Sequence, residues 1–179
     1  MQDSESVQSV NQYLTFFLAG DEYAISIVQI TEIIECTTLT RVPGAPPWIR
    51  GVLNLRGAVV PVVDLAVKFG LPSTEITRRT CVVIVELRIK GQPMVMGVMA
   101  DGVHQVMELL PDQIQPPPSF GPKVRVDCIL GMGASSGKFV VLLNIDRILS
   151  RSELLAASSV AQPAETAVSD VRTAVAQEV

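Results

Sequence analysis

Residues 48–65, Trp48-Ile49-Arg50-Gly51-Val52-Leu53-Asn54-Leu55-Arg56-Gly57-Ala58-Val59-Val60-Pro61-Val62-Val63-Asp64-Leu65, constrain this chain more than any other stretch. They form a dense run of apolar, β-favouring residues with glycines at its corners. Val52, Leu53 and Leu55 make one arm and Val59, Val60, Val62 and Val63 the other, around Arg56-Gly57, where glycine takes positive φ without steric cost. The pattern predicts a β-hairpin with one buried face. Pro61 has no amide proton to give a central ladder, so the second arm is expected at a sheet edge or a bulge. Arg56 falls at the tip, where a charged side chain stays solvated and can meet a partner.

Composition decides the class. With 48% apolar and 18% charged residues the chain can bury a core, which excludes a disordered polyelectrolyte. Its net charge of −4, with no concentrated Lys/Arg patch, argues against nucleic acid and against direct binding to an anionic membrane. The first residues include Asp3 and Glu5 and lead into no apolar run, and no apolar stretch reaches the ~18 residues of a membrane span. A cytoplasmic location is expected. Cys36, Cys81 and Cys128 are widely spaced, with no C-x-x-C pair, and are expected as reduced, buried thiols.

Along the chain, residues 1–11 are polar and predict a flexible arm. Leu14, Phe16 and Leu18 alternate at period two, and 19–22 make a turn into Tyr23-Ala24-Ile25, a first hairpin. From 27 to 36 the apolar spacing lengthens to three and four, which fits a short helical turn leading into a strand. Residues 80–89, 94–100 and 103–110 read as a three-strand meander, followed by the proline-rich crossing 110–123, which contains Phe120. A last strand at 139–145 precedes a helix at about 146–157, and 158–179 is expected to be a disordered tail.

Residues 57–65 lie over residues 137–145 without a gap, glycine on glycine and Asp64 on Asn144. This echo, with the resemblance between the turns at Gly20 and Gly91, points to duplication. The expectation is a mainly β fold of two similar barrels side by side, lobe 1 at about 12–70 and lobe 2 at about 78–145, followed by the short C-terminal helix.

Catalytic chemistry is hard to assemble from these residues. His104 is the single histidine and cannot anchor a two-histidine metal site. Gly133-Ala134-Ser135-Ser136-Gly137-Lys138-Phe139 is one residue short of a phosphate loop and places Phe139 where a magnesium-binding hydroxyl is needed, so it reads as a hairpin turn. The expectation is a protein that is not an enzyme and holds no cofactor or metal. Glu32 and Arg56 are read as charges set deeply among apolar neighbours, and a pair between them would fix the central hairpin against the 27–34 segment. Ile27, Ile30 and Ile33, with Val98 from lobe 2, could line a groove for a partner helix. Core packing accounts for the same residues, and the sequence leaves both open.

Tyr23-Ala24-Ile25 leading to Ile30-Thr31-Glu32-Ile33, Thr40-Arg41-Val42-Pro43-Gly44-Ala45-Pro46, Ile49-Arg50-Gly51-Val52-Leu53-Asn54-Leu55-Arg56-Gly57 and Val60-Pro61-Val62-Val63-Asp64-Leu65 together resemble the CheW family of chemotaxis coupling proteins. The likeness runs from about Tyr13 to about Leu155. It implies two five-stranded SH3-like barrels and a non-enzymatic scaffold linking chemoreceptor cytoplasmic tips to the regulatory domain of the histidine kinase CheA. Membrane association would then be indirect, through receptors. By the resemblance, Glu32 and Arg56 match the family's charged pair near the receptor and kinase contacts. Ile27, Ile30, Ile33 and Val98 fall at the receptor groove, and Phe120 near a surface used in ring contacts. Service to a non-flagellar pathway, or a small-ligand-binding β-barrel, would be the alternatives.

Overall fold

Three tight turns set the strand pattern. Ala19-Gly20, Arg56-Gly57 and Ser136-Gly137 each hold two successive residues at positive φ, 50° and 87°, 51° and 86°, and 50° and 79°. That is the two-residue hairpin geometry whose twist matches the flanking strands. The computed structural model describes residues 10–89, 91–117, 128–148 and 153. Its strands are β1 (Asn11–Leu18), β2 (Asp21–Ser26), β3 (Ile30–Glu35), β4 (Ile49–Leu55), β5 (Ala58–Val63), β6 (Cys81–Ile89), β7 (Gln92–Ala100), β8 (Gly102–Leu109), β9 (Ile129–Ser135) and β10 (Lys138–Leu143). Short helices α1 (Leu65–Lys68) and α2 (Ile145–Ile148) follow β5 and β10, and 3-10 turns lie at Ile27–Gln29 and Pro111–Gln113. The expected short helical turn into a strand after Ile27 is present, as the 3-10 turn Ile27–Gln29. Of the expected C-terminal helix, Ile145–Ile148 and Glu153 are described; Phe120 and the 158–179 tail lie outside the described residues.

The strands form two five-stranded sheets, β8-β1-β2-β10-β9 and β3-β6-β7-β5-β4. Each is closed along its β4 or β9 edge by the chain that crosses from the far side. Thr40 exchanges two backbone hydrogen bonds with Val52 (2.9 and 2.8 Å), and Gln115 does the same with Met132 (2.9 and 2.7 Å). Glycine permits both crossings. A Cβ on Gly51 would lie 2.5 Å from the Thr40 carbonyl oxygen, and one on Gly131 2.7 Å from that of Gln115. The expected pair of SH3-like barrels is therefore found, and the echo extends to the bridges, the glycines and the helices.

The lobe boundaries need correction. The chain contains two successive five-strand units, but each sheet joins the first hairpin of one unit to the last three strands of the other. The partition at about 70–78 falls inside the second sheet, between β5 and β6, rather than between barrels. The expected meander is likewise broken after β7. Asp101 donates its amide to Phe17 O and accepts from Ala19 N, both at 2.9 Å, which turns β8 away to pair with β1.

Pro61 also sits differently from expectation. β5 lies inside its sheet, between β7 and β4. Val52, opposite Pro61, gives its amide and carbonyl to Thr40, so the pair is not hydrogen-bonded and the Pro61 nitrogen points away from β4. On the other side the parallel pairing with β7 begins only at Val62. No ladder bond is lost.

Between the barrels Leu14, Phe16, Leu18 and Ile25 pack with Val83, Val85, Leu87, Met96 and Val98, sealed by Leu65, Ile145 and Ile148. Each barrel has its own filling, Tyr13, Ala24, Met107, Leu109, Val140 and Leu142 in one and Leu53, Val60, Val62, Val82, Ile84 and Met99 in the other. These apolar side chains fill small barrels in the way expected of closed cores rather than of ligand-holding ones.

Candidate partner-binding surface

The spacing of Ile30 and Ile33 arises from a β-bulge. Ile30 lies opposite Val85 and Glu32 opposite Ile84, so Thr31 is the extra residue. Its Oγ1 donates to Ile84 O at 3.3 Å. Residues directly opposite in a ladder face the same side. Ile30 and Ile33 therefore share the inter-barrel face with Val85 and Val83, while Glu32 and Ile34 share the other face with Ile84 and Val82. Because β3 is the outermost strand, that inter-barrel face runs out to solvent. Ile27 and Ile30 pack half-buried on the edge of the core, Ile33 is 43% exposed and Val28 is 90% exposed.

Val98 is placed otherwise. It stands in the row Ile33, Val83, Val98, Val63, on the same face as Ile33 but two strands further in, and it is fully buried. The first barrel covers it, so it supports the groove from beneath and offers no surface of its own.

Glu32 and Arg56 do pair. Arg56 Nη1 donates to Glu32 Oε1 at 2.9 Å and Nη2 to Oε2 at 3.0 Å, a two-point contact that fixes orientation as well as distance. Arg56 is held at φ 51° by the turn, and Asn54 Oδ1 accepts the Gly57 amide at 2.7 Å. The bridge joins the outer edge of β3 to the tip of the β4–β5 hairpin, at opposite ends of the strand order. The Arg56 side chain is 76% exposed, so it is not deeply set, and it meets Glu32 on the face of β3 opposite to Ile33.

The deeply buried charge is Asp64, which the sequence reading did not single out. Its carboxylate accepts from Arg50 Nη1 (2.8 Å), Thr74 N (2.9 Å), Thr74 Oγ1 (3.0 Å) and Ala66 N (3.1 Å), the last capping α1. Arg50 also donates to Thr74 O at 2.9 Å. This node ties β4 and α1 to the connection leading into β6. A lone Asp between a strand and a helix, with an Arg inside an apolar run, was the available signal.

Among the described residues the remaining titratable groups form no catalytic constellation. His104 Nδ1 lies 2.8 Å from Glu22 Oε1, and its ring packs against Phe17. Burial pushes the Glu22 carboxyl up, but hydrogen bonds with His104 and Thr15 and the nearby charges of His104 and Lys138 outweigh it and hold the group below its ordinary value. Burial pushes the Cys36 and Cys81 thiols up, the opposite of a poised thiolate. Among the described residues no group of three His, Cys, Asp or Glu side chains is placed to hold a metal, and no helix is long and apolar enough to cross a membrane.

A family model described as a CheW-like domain matches residues 12–153. The chain is 34% identical over 151 residues to the chemotaxis protein CheW of Klebsiella aerogenes, covering 84% of this chain and 89% of that protein. It is 36% identical over 112 residues to the chemotaxis protein CheW of Bacillus subtilis, covering 63% and 69%. Its fold superposes on the crystal structure of the scaffolding protein TtCheW from Thermoanaerobacter tengcongensis with a TM-score of 0.73 at 24% identity, covering 87% of this chain and 99% of that one.

Proposed function

Because this chain belongs to the CheW family, a family of non-enzymatic scaffolds of chemotaxis signalling, we propose that it joins the cytoplasmic tips of chemoreceptors to the histidine kinase CheA in the cytoplasm. The observation that carries this reading is the rim of β3. An apolar stripe, half-buried at Ile27 and Ile30 and exposed at Ile33, reaches solvent along β3, and the other face of the same strand carries a charged bridge whose geometry is set before any partner arrives. Apolar residues repeating at three-residue spacing suit the ridge of an amphipathic helix. We assign the stripe to the receptor helical hairpin and the Glu32–Arg56 bridge to the border between receptor and kinase. Phe120, outside the described residues, is assigned to ring contacts by family resemblance alone.

Preorganisation is what such a scaffold needs. A partner that meets a fixed strand face does not have to order it, and the ordering of flexible side chains is a main expense of association. The test is a pulldown of the purified chain with a receptor cytoplasmic fragment and with CheA, comparing wild type with Ile33→Asp and Arg56→Ala. Ile33→Asp is expected to lose the receptor fragment, and Arg56→Ala to weaken the kinase or the ternary complex, while both stay folded. Full retention of both partners by both folded variants would overturn the assignment.

A further inference from the structure

The two barrels close alike, and only one of them does so with a pair of arginines. Thr40 bridges Val52 as Gln115 bridges Met132, and Gly51 and Gly131 receive the two crossings with Leu39 and Ile114 packed against them. Arg41, the residue after Thr40, therefore answers to Pro116, and Arg50, the residue before Gly51, answers to Leu130. The second barrel closes with neither cation. The fold thus does not call for them, and a buried ion pair such as Arg50–Asp64 gains little over uncharged groups in the same place.

Both arginines line a cleft of about 530 Å³ and a neighbouring one of about 420 Å³, and no acidic side chain lines either. Arg50 is held in place, its Nη1 donating to Asp64 Oδ2 and to Thr74 O. Its other N–H groups have no acceptor among the described residues, and no side-chain nitrogen there is both buried and unbonded, so they reach solvent where Arg50 lines the clefts. Asp64 already balances its charge. Arg41 is exposed and has no hydrogen bond or ion pair among the described residues, so its charge is uncompensated. Thr37 and Thr38 bring hydroxyls to the wall of the larger cleft, and Leu39 and the half-exposed Ile76 give that cleft an apolar side.

We propose that Arg41 and Arg50 hold the phosphate of a small organic phosphate ester, whose apolar part lies against Leu39 and Ile76. Guanidinium groups bind oxyanions through charge-assisted hydrogen bonds in a fixed fork. Here they arrive from two segments, the chain that crosses to β4 and β4 itself, which suits the oxygens of a tetrahedral phosphate rather than the single plane of a carboxylate. Arg50 needs no ordering on binding, because Asp64 and Thr74 already hold it, and Arg41 supplies the free charge. The site does not rest on the receptor and kinase assignments above.

The test is an NMR titration of the full chain with phenyl phosphate at constant ionic strength, following the Arg50 Nε–H signal and the Thr37, Thr38 and Leu39 amides. Shifts that saturate with a Kd of about 1–10 mM are expected, about fivefold weaker in Arg41→Gln, whose exposed position leaves the fold intact. Arg50→Leu/Asp64→Asn, which copies the second barrel, should abolish saturation at the three amides. The Asp112, Gln113 and Ile114 amides, at the matching place in the second barrel, should not move. Shifts that never saturate, shifts equal in wild type and Arg41→Gln, or an equal response to acetate would overturn the proposal.

Discussion

Replacing Asp64 by Ala strips a buried carboxylate from four donors at once: Arg50, both groups of Thr74, and the Ala66 amide that it caps. Removing one member of a buried ion pair costs about 3–5 kcal/mol, because the other charge stays behind without a partner. The Arg50 side chain is 26% exposed and recovers part of its hydration, which places the loss near the lower end, about 3 kcal/mol. For a chain of this length that corresponds to a fall in Tm of roughly 6–12 °C. The second barrel suggests the control. There Leu130 and Asn144 occupy the positions of Arg50 and Asp64 at the same offset as the glycines and turns. Arg50→Leu/Asp64→Asn, which copies that solution, should lose less than the sum of its single changes. Urea unfolding of wild type, Asp64→Ala, and the Arg50→Leu, Asp64→Asn and doubly changed proteins reads both quantities. A loss below about 1 kcal/mol for Asp64→Ala, or simple additivity in the cycle, would refute the view that these groups act as one buried unit.

Glu22, held below its ordinary carboxylate value, contributes stability that is present above that range and lost as the pH falls through it; His104→Ala should shrink this acid-side slope in pH-dependent thermal melts. Gly51→Ala would drive a Cβ into the Thr40 carbonyl oxygen at 2.5 Å, breaking the bridge that closes the barrel, and should cost about 1–3 kcal/mol in urea unfolding. Thiol labelling of the native protein should modify half-exposed Cys36 first and slowly, since burial pushes its thiol up, while Cys81 and Cys128 react only on unfolding.

Local chemistry was legible in the residues. The Arg56-Gly57 turn, the hairpin arms, the 3-10 turn before β3 and the ungapped echo between 57–65 and 137–145 all follow from rules that act over a few positions. The exchange of hairpins between the two units did not show, because consecutive strands usually pair with each other and nothing short-range announces that β8 leaves β7 for β1. Pro61 misled for a related reason: its tolerance inside a sheet depends on where Val52 sends its hydrogen bonds, and Thr40 decides that. Ile30 and Ile33 were grouped correctly, but the three-residue spacing that suggested a helical face is produced by the extra residue at Thr31. Val98 was placed on the right face and at the wrong depth. Which row of a strand meets solvent depends on the neighbouring barrel.

The central claim is that this chain couples a kinase to receptors. The most direct measurement is the CheA autophosphorylation rate on receptor-containing membranes with and without the purified chain. Wild type is expected to raise the rate, Ile33→Asp to leave it unchanged, and Arg56→Ala to raise it less, at equal folded protein. A rate that wild type leaves unchanged, or that all three proteins raise alike, would contradict it.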